Sequence, residues 1–198
     1  MATSFLFAHG AGAPSSSAWM QRFAVLLGEL GRVRTFDYRY LRAGGPRRAP
    51  DKLDALVAAH ALELAALRSE LAEGEQTVLA GKSMGGRVGC HLALGEPVSG
   101  LVCFGYPLRS PTGKLRDEVL LALSTPVLFV QGTRDALCPL DELERVRQRM
   151  KAPSELFVVE GGDHSLEATK TGLKQRGTTQ ADVERGVQSA VRRFCAGL

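Results

Sequence analysis

The chain has 198 residues, 44% of them hydrophobic, and a formal net charge of +4. That is enough apolar material for one good core, so one domain over residues 1–198 is expected. No apolar run approaches the ~20 residues of a bilayer-spanning helix, and Met1-Ala2-Thr3-Ser4 carries no basic region or cleavage site, so the expectation is a cytoplasmic protein with no membrane association.

Strand and helix patterns alternate along the chain. Ser4 to Ala8 is the first predicted strand, followed by a helix from about Ser17 to Gly31, a strand near Val33 to Tyr38 and an Ala- and Leu-rich helix from about Pro50 to Glu73. Thr77-Val78-Leu79-Ala80 is the next strand, and Gly86 to Leu94 reads as a helix rich in small residues. Val98 to Phe104, Pro126 to Gln131 and Glu155 to Glu160 are three more strands, with helices at Gly113 to Leu123, Pro139 to Met150 and Thr179 to Phe194. Ala168 to Gly177, rich in Lys, Thr and Gly, reads as an exposed loop. This alternation argues for an α/β fold with a mostly parallel sheet of about six strands, helices on both faces, and a ligand crevice at the carboxyl ends of the strands.

One such end carries Gly81-Lys82-Ser83-Met84-Gly85, a serine between two glycines directly after an apolar strand and before a helix. In this setting G-x-S-x-G is a nucleophile elbow, whose strained turn exposes the hydroxyl and needs very small flanking residues. The same stretch fails as a phosphate-binding loop of the form G-x-x-x-x-G-K-S, because the position of the first glycine is Gln76 and the intervening residues form a strand.

A serine hydroxyl is too weakly acidic to attack unaided, and two later strand ends supply what it needs. Gln131-Gly132-Thr133-Arg134-Asp135 follows one, and Gly161-Gly162-Asp163-His164-Ser165 follows the next. His164 is the expected proton acceptor for Ser83, and Asp135 the group that orients and stabilises its imidazole. Asp163 is the rival acid, ranked second because its carboxylate more naturally turns to the adjacent backbone or to solvent. The amides of Ala11, in the loop His9-Gly10-Ala11-Gly12-Ala13-Pro14, and of Met84 are the expected oxyanion-hole pair. His9 reads as structural, and His60 and His91 fall inside helices. Lys82, Arg87, Arg39 and Tyr106 are the expected substrate-binding residues, suited to a carboxylate or phosphate.

Cys90, Cys103, Cys138 and Cys195 are scattered without C-x-x-C spacing, so free thiols and no metal site are expected. Basic residues concentrate at Arg32, Arg34, Arg39, Arg42, Arg47, Arg48 and Lys52, against only Asp37 and Asp51. Lacking helical spacing of its charges, this stretch suits an anionic substrate or a protein partner rather than nucleic acid.

The chain resembles small α/β-hydrolases of the dienelactone-hydrolase-like kind, and within them the domain shared by a testis-expressed protein, a subunit of a chromatin-associated acetyltransferase complex and their bacterial relatives. The resemblance covers nearly the whole chain. It rests on His9-Gly10-Ala11, Phe36-Asp37-Tyr38, the stretch from Gly81 to Arg87, Tyr106-Pro107-Leu108, Lys114-Leu115-Arg116-Asp117-Glu118, the stretch from Pro126 to Gly132, and His164-Ser165-Leu166. It implies an α/β-hydrolase fold as a three-layer sandwich, and the same Ser83, Asp135 and His164 assignment. Dienelactone hydrolases proper use cysteine where this chain has Ser83, which speaks against their lactone substrate. The segment between the fourth and fifth strands is too short for a cap domain. The resulting expectation is a serine hydrolase cleaving a small-molecule carboxylic ester or thioester through an acyl-enzyme, with no cofactor. Because some relatives serve as interaction domains, the competing expectation is a non-catalytic protein-binding domain on the same fold.

Overall fold

The computed structural model describes residues 2–42 and 49–198. Six strands, β1 (Thr3–Ala8), β2 (Arg32–Phe36), β3 (Gln76–Lys82), β4 (Gly100–Phe104), β5 (Val127–Gly132) and β6 (Ser154–Val159), form one sheet in the order β2-β1-β3-β4-β5-β6. Every pairing is parallel. The order reverses between β1 and β3, and the crevice of a parallel sheet opens at such a switch point, beyond the carboxyl ends of the strands.

Helices α1 (Ala18–Gly28), α2 (Arg39–Arg42), α3 (Leu53–Arg68), α4 (Met84–Leu92), α5 (Glu118–Ala122), α6 (Leu140–Arg147), α7 (Lys170–Gln175) and α8 (Gln180–Ala196) fill the connections. Side chains alternate across a strand, so β1 sends Phe5 and Phe7 to one face and Leu6 and Ala8 to the other. Phe5 and Phe7 pack with Met20, Phe23 and Leu27 of α1 and with Val187, Val191 and Phe194 of α8. On the opposite face Leu6, Leu79, Leu101 and Phe129 meet Leu56 and Leu64 of α3, Val88 of α4 and Leu143 of α6. The product is the three-layer α/β-hydrolase sandwich. No helix among the described residues is long and apolar enough to cross a membrane.

Three expectations change. The helix expected over Gly113 to Leu123 is confined to α5. The Ser110 amide donates to the Lys114 carbonyl at 2.8 Å, the Ser110 carbonyl accepts the amide of Gly113 at 2.8 Å, the φ of 82° at Gly113 breaks any helix, and Arg109 bridges Leu115 in antiparallel fashion. The stretch from Ala168 to Gly177 is no plain loop, because Thr169 caps α7 by accepting the Gly172 amide at 3.1 Å. The helix expected to reach Glu73 stops at Arg68, ahead of Gly74 at φ 79°.

His60 sets a test of stability. It is fully buried in α3, with Nδ1 3.1 Å from the Tyr38 hydroxyl and, among the described residues, no hydrogen-bond partner at Nε2. Burial lowers its pKa to about 3, from an unfolded value near 6.5. Between those values only the unfolded chain binds the proton, so the stability present above pH 6.5 is lost as pH falls toward 3, by up to about 1.4 kcal/mol per pH unit. His9, also lowered by burial, acts in the same direction. Urea unfolding at pH 7, 6, 5 and 4 should show this slope, and the paired replacement Tyr38→Phe with His60→Leu should flatten it by one proton's worth. An unchanged slope would assign the acid sensitivity to other groups.

Candidate active site

At the end of β3 the chain turns through Ser83, whose φ of 50° and ψ of −113° place a non-glycine residue in a strained conformation, and α4 starts at Met84. Such strain costs about 1–3 kcal/mol and persists only where neighbours enforce it. The enforcement is visible: the Ser83 amide donates to the Phe104 carbonyl at 2.9 Å, and the Ser83 carbonyl accepts the Arg87 amide at 3.1 Å. The two glycines answer to close approach. A Cβ on Gly81 would lie 2.2 Å from the Gly86 nitrogen, and one on Gly85 would lie 2.5 Å from the Ala8 carbonyl oxygen.

The loops after β3, β5 and β6 bring Ser83, Asp135 and His164 together. Nε2 of His164 lies 2.8 Å from the Ser83 hydroxyl, and its Nδ1 lies 2.7 Å from Oδ2 of Asp135. Asp135 is buried, and burial alone would raise its carboxyl pKa. The His164 hydrogen bond, helped by the Leu137 amide at 2.9 Å and the Gln131 side-chain amide, outweighs that and lowers it. An ionised carboxylate only accepts, so Nδ1 of His164 must carry the proton and Nε2 presents its lone pair to the hydroxyl. An imidazole so placed can take the hydroxyl proton, and a buried anion behind it stabilises the cation that results. Asp163, the rival acid, turns to its own loop and accepts the amides of Ser165 at 2.7 Å and Glu167 at 3.1 Å.

The loop after β1 faces the elbow. Buried His9 uses both ring nitrogens locally. Nδ1 donates to the Gly10 carbonyl at 2.6 Å, and Nε2 accepts the Tyr38 amide at 3.1 Å. An acceptor nitrogen carries no proton, so its 3.7 Å approach to Asp37 is not an ion pair, in keeping with a pKa that burial lowers. Asp37 accepts the Ser15 amide at 2.6 Å, and Tyr40 donates to the Ala11 carbonyl at 3.1 Å. Ala11 lines the same cavity as Met84, the first residue of α4, whose amide has no acceptor inside its own helix.

Two cavities flank the elbow, and Ser83 and Ala11 line both. One, of about 350 Å³, is walled by Trp19, Met20, Lys82 and His164. The other, of about 410 Å³, is walled by Met84, Arg87, Arg116 and Leu137. Lys82 lines the first, where its ammonium lies 5.2 Å from the Trp19 ring centroid and donates to the His164 carbonyl; burial lowers its pKa to about 8. Trp19 donates to the Ser165 carbonyl at 2.8 Å, so Lys82 and Trp19 together hold the His164 loop. Arg87 lines the second cavity, as its place one turn after Ser83 on α4 requires.

The other two expected binding residues fall elsewhere. Tyr106 is fully buried, with its ring edge-on to Phe129 and its hydroxyl donating to the Arg116 carbonyl at 3.3 Å, so it supports the cavity wall without lining it. Arg39 is exposed on α2 and lines neither cavity. Ala43 to Arg48 of the basic stretch lie outside the described residues. Trp19 and Tyr40 lie in no sequence motif, and Gln131 and Arg116 lie in named stretches without a role of their own, since their roles arise from contacts between distant loops.

Comparison with known proteins agrees with this architecture. Residues 1–196 match the alpha/beta hydrolase domain family, and the chain belongs to it. An uncharacterised Bacillus subtilis protein, YqkD, is 31% identical over 62 residues, which is 31% of this chain and 20% of that relative's length. Among solved structures, an alpha-beta serine hydrolase homologue from Coxiella burnetii superposes with a TM-score of 0.71 at 18% identity, covering 97% of this chain and 84% of the other. A protein of unknown function from Agrobacterium tumefaciens gives 0.76 at 16% identity, covering 99% and 87%. Est1E from Butyrivibrio proteoclasticus gives 0.69 at 15% identity, covering 98% and 89%. Likeness at these identities establishes the fold alone.

Proposed function

We propose that the chain is a serine hydrolase that cleaves a carboxylic ester or thioester through an acyl-enzyme on Ser83. The observation that carries this reading is the unbroken line of hydrogen bonds from buried Asp135 through His164 to Ser83. In the first half-reaction the Ser83 oxygen bonds to the acyl carbon while His164 Nε2 takes its proton. The tetrahedral intermediate collapses, the bond to the leaving oxygen or sulfur breaks, and His164 returns the proton to that atom. Water repeats the sequence on the acyl-enzyme, so one ester and one water give one acid and one alcohol or thiol. The amides of Ala11 and Met84 are assigned to the oxyanion, each worth about 3 kcal/mol of transition-state stabilisation. The narrower kinship with the testis-expressed and chromatin-subunit domain remains part of the proposal, supported by Tyr106-Pro107-Leu108 and Lys114-Leu115-Arg116-Asp117-Glu118.

A fluorophosphonate probe, which reacts only with an activated serine, is expected to label the protein at Ser83 in peptide mapping and to leave Ser83→Ala unlabelled. Absence of label on the wild-type chain would favour the non-catalytic protein-binding domain instead.

A further inference from the structure

The two cavities beside Ser83 differ in charge. His164 lines the smaller one and not the larger. The larger holds three guanidinium groups, of which Arg109 is already paired, with both nitrogens of its fork on Glu142. Among the described residues Arg87 and Arg116 form no ion pair; the polar side-chain contact of Arg87 is a long one, 3.4 Å to His91. The acids next to Arg116 in the chain are engaged elsewhere, Asp117 with Arg149 at 3.4 Å and Glu118 with Lys114 at 3.9 Å. Asp51 is the one acid lining the cavity, and it pairs with neither guanidinium. Both arginines are half-buried, and Arg116 is pushed down in pKa by burial and then by the Arg87 charge. Two like charges facing one partly dry space repel each other, and an anion between them removes that cost. The backbone sets Arg116 there on purpose-built supports: its amide donates to Leu108 at 2.8 Å and its carbonyl accepts from buried Tyr106.

Which half of the substrate carries the anion follows from the proton. The leaving atom must receive it from His164, so the leaving group exits through the cavity that His164 lines, and the acyl chain occupies the other. We propose that Arg87 and Arg116 form a carboxylate subsite for the acyl chain, making the preferred substrates monoesters or monothioesters of short dicarboxylic acids. The inference rests on the hydrolase reading above and names its substrate class. The planar forks of two arginines suit the paired oxygens of a carboxylate.

The test compares monoethyl glutarate with ethyl 5-carbamoylpentanoate's shorter homologue, ethyl 4-carbamoylbutanoate, which has the same shape and a neutral amide in place of the carboxylate. Ethanol release is followed on the wild-type protein, Arg87→Gln, Arg116→Gln and Ser83→Ala. The expected result is a kcat/KM for the carboxylate ester roughly 10- to 100-fold above that of the amide ester. The ratio should fall toward one in either arginine variant, and Arg116→Lys should recover part of it by restoring charge. Equal wild-type rates on the two esters, or a ratio that survives in Arg87→Gln and Arg116→Gln, would overturn the subsite while leaving the hydrolase reading intact. Failure on both esters with Ser83 still labelled by fluorophosphonate also overturns the subsite alone. Failure on both with no labelling removes the hydrolase reading beneath it.

Discussion

Ser83→Ala is expected to lower kcat for a 4-nitrophenyl ester by about 10⁶-fold, His164→Ala by a similar factor, and the double variant by no more than either alone. The reason is that the two side chains act as one unit. A serine hydroxyl 2.8 Å from a proton acceptor is a nucleophile, and without that acceptor it is an ordinary alcohol. Once either partner is gone, the other has nothing left to contribute, so the losses cannot multiply. A residual rate about 10³- to 10⁴-fold above water should persist in all three variants, from oxyanion donors and substrate positioning. Burst-corrected kinetics on pure protein would measure this. Multiplying losses in the double variant would mean that the two residues serve separate steps, contrary to the proposed mechanism.

Gly81→Ala is expected to destabilise the fold by about 3 kcal/mol or more and to reduce activity with it, because the added methyl has nowhere to go. Its Cβ would stand 2.2 Å from the Gly86 nitrogen and 2.4 Å from the Gly85 carbonyl carbon, both backbone atoms that cannot swing aside as a side chain end can. Relief requires the first turn of α4 to move away from β3, which carries Ser83 and the Met84 amide off the geometry described above. Gly28→Ala is the control of opposite sign. That glycine ends α1 with nothing within 4 Å of its Cβ position, so alanine there should add about 0.5–1 kcal/mol through helix propensity alone. Urea melts of the two variants against wild type settle the comparison; a Gly81→Ala protein as stable as wild type would show that the elbow tolerates a wider turn than its contacts imply.

Much of this arrangement is legible in the amino-acid sequence. Short apolar runs rich in aromatic and β-branched residues, such as Phe5-Leu6-Phe7-Ala8 and Val127-Leu128-Phe129-Val130, read as strands buried on both faces, and their alternation with helical stretches leaves a parallel sheet as the economical fold. The stretch from Gly81 to Gly85 was readable because two glycines around a serine at a strand end reflect a local steric demand, and local demands are written in adjacent residues. Asp135 and His164 were readable for a related reason: each follows a strand end, and parallel strands deliver their carboxyl ends to one edge. Tyr106 was misread on that same rule. It also follows a strand end, yet its ring turns inward against Phe129, and strand position alone does not say which way the next side chain points.

The layer order, the elbow and the three residues that meet at it are legible in the chain alone, since periodicity and turn chemistry act over a few neighbouring residues. Packing alone settles that Gln131 holds Asp135, that Lys82 and Trp19 tether the loop of His164, and that Arg87 and Arg116 share one cavity with no ion-pair partner among the described residues. Those pairings join residues from separate loops, and the distance between their side chains is set by how the sheet twists and the helices pack, which no short stretch of chain encodes.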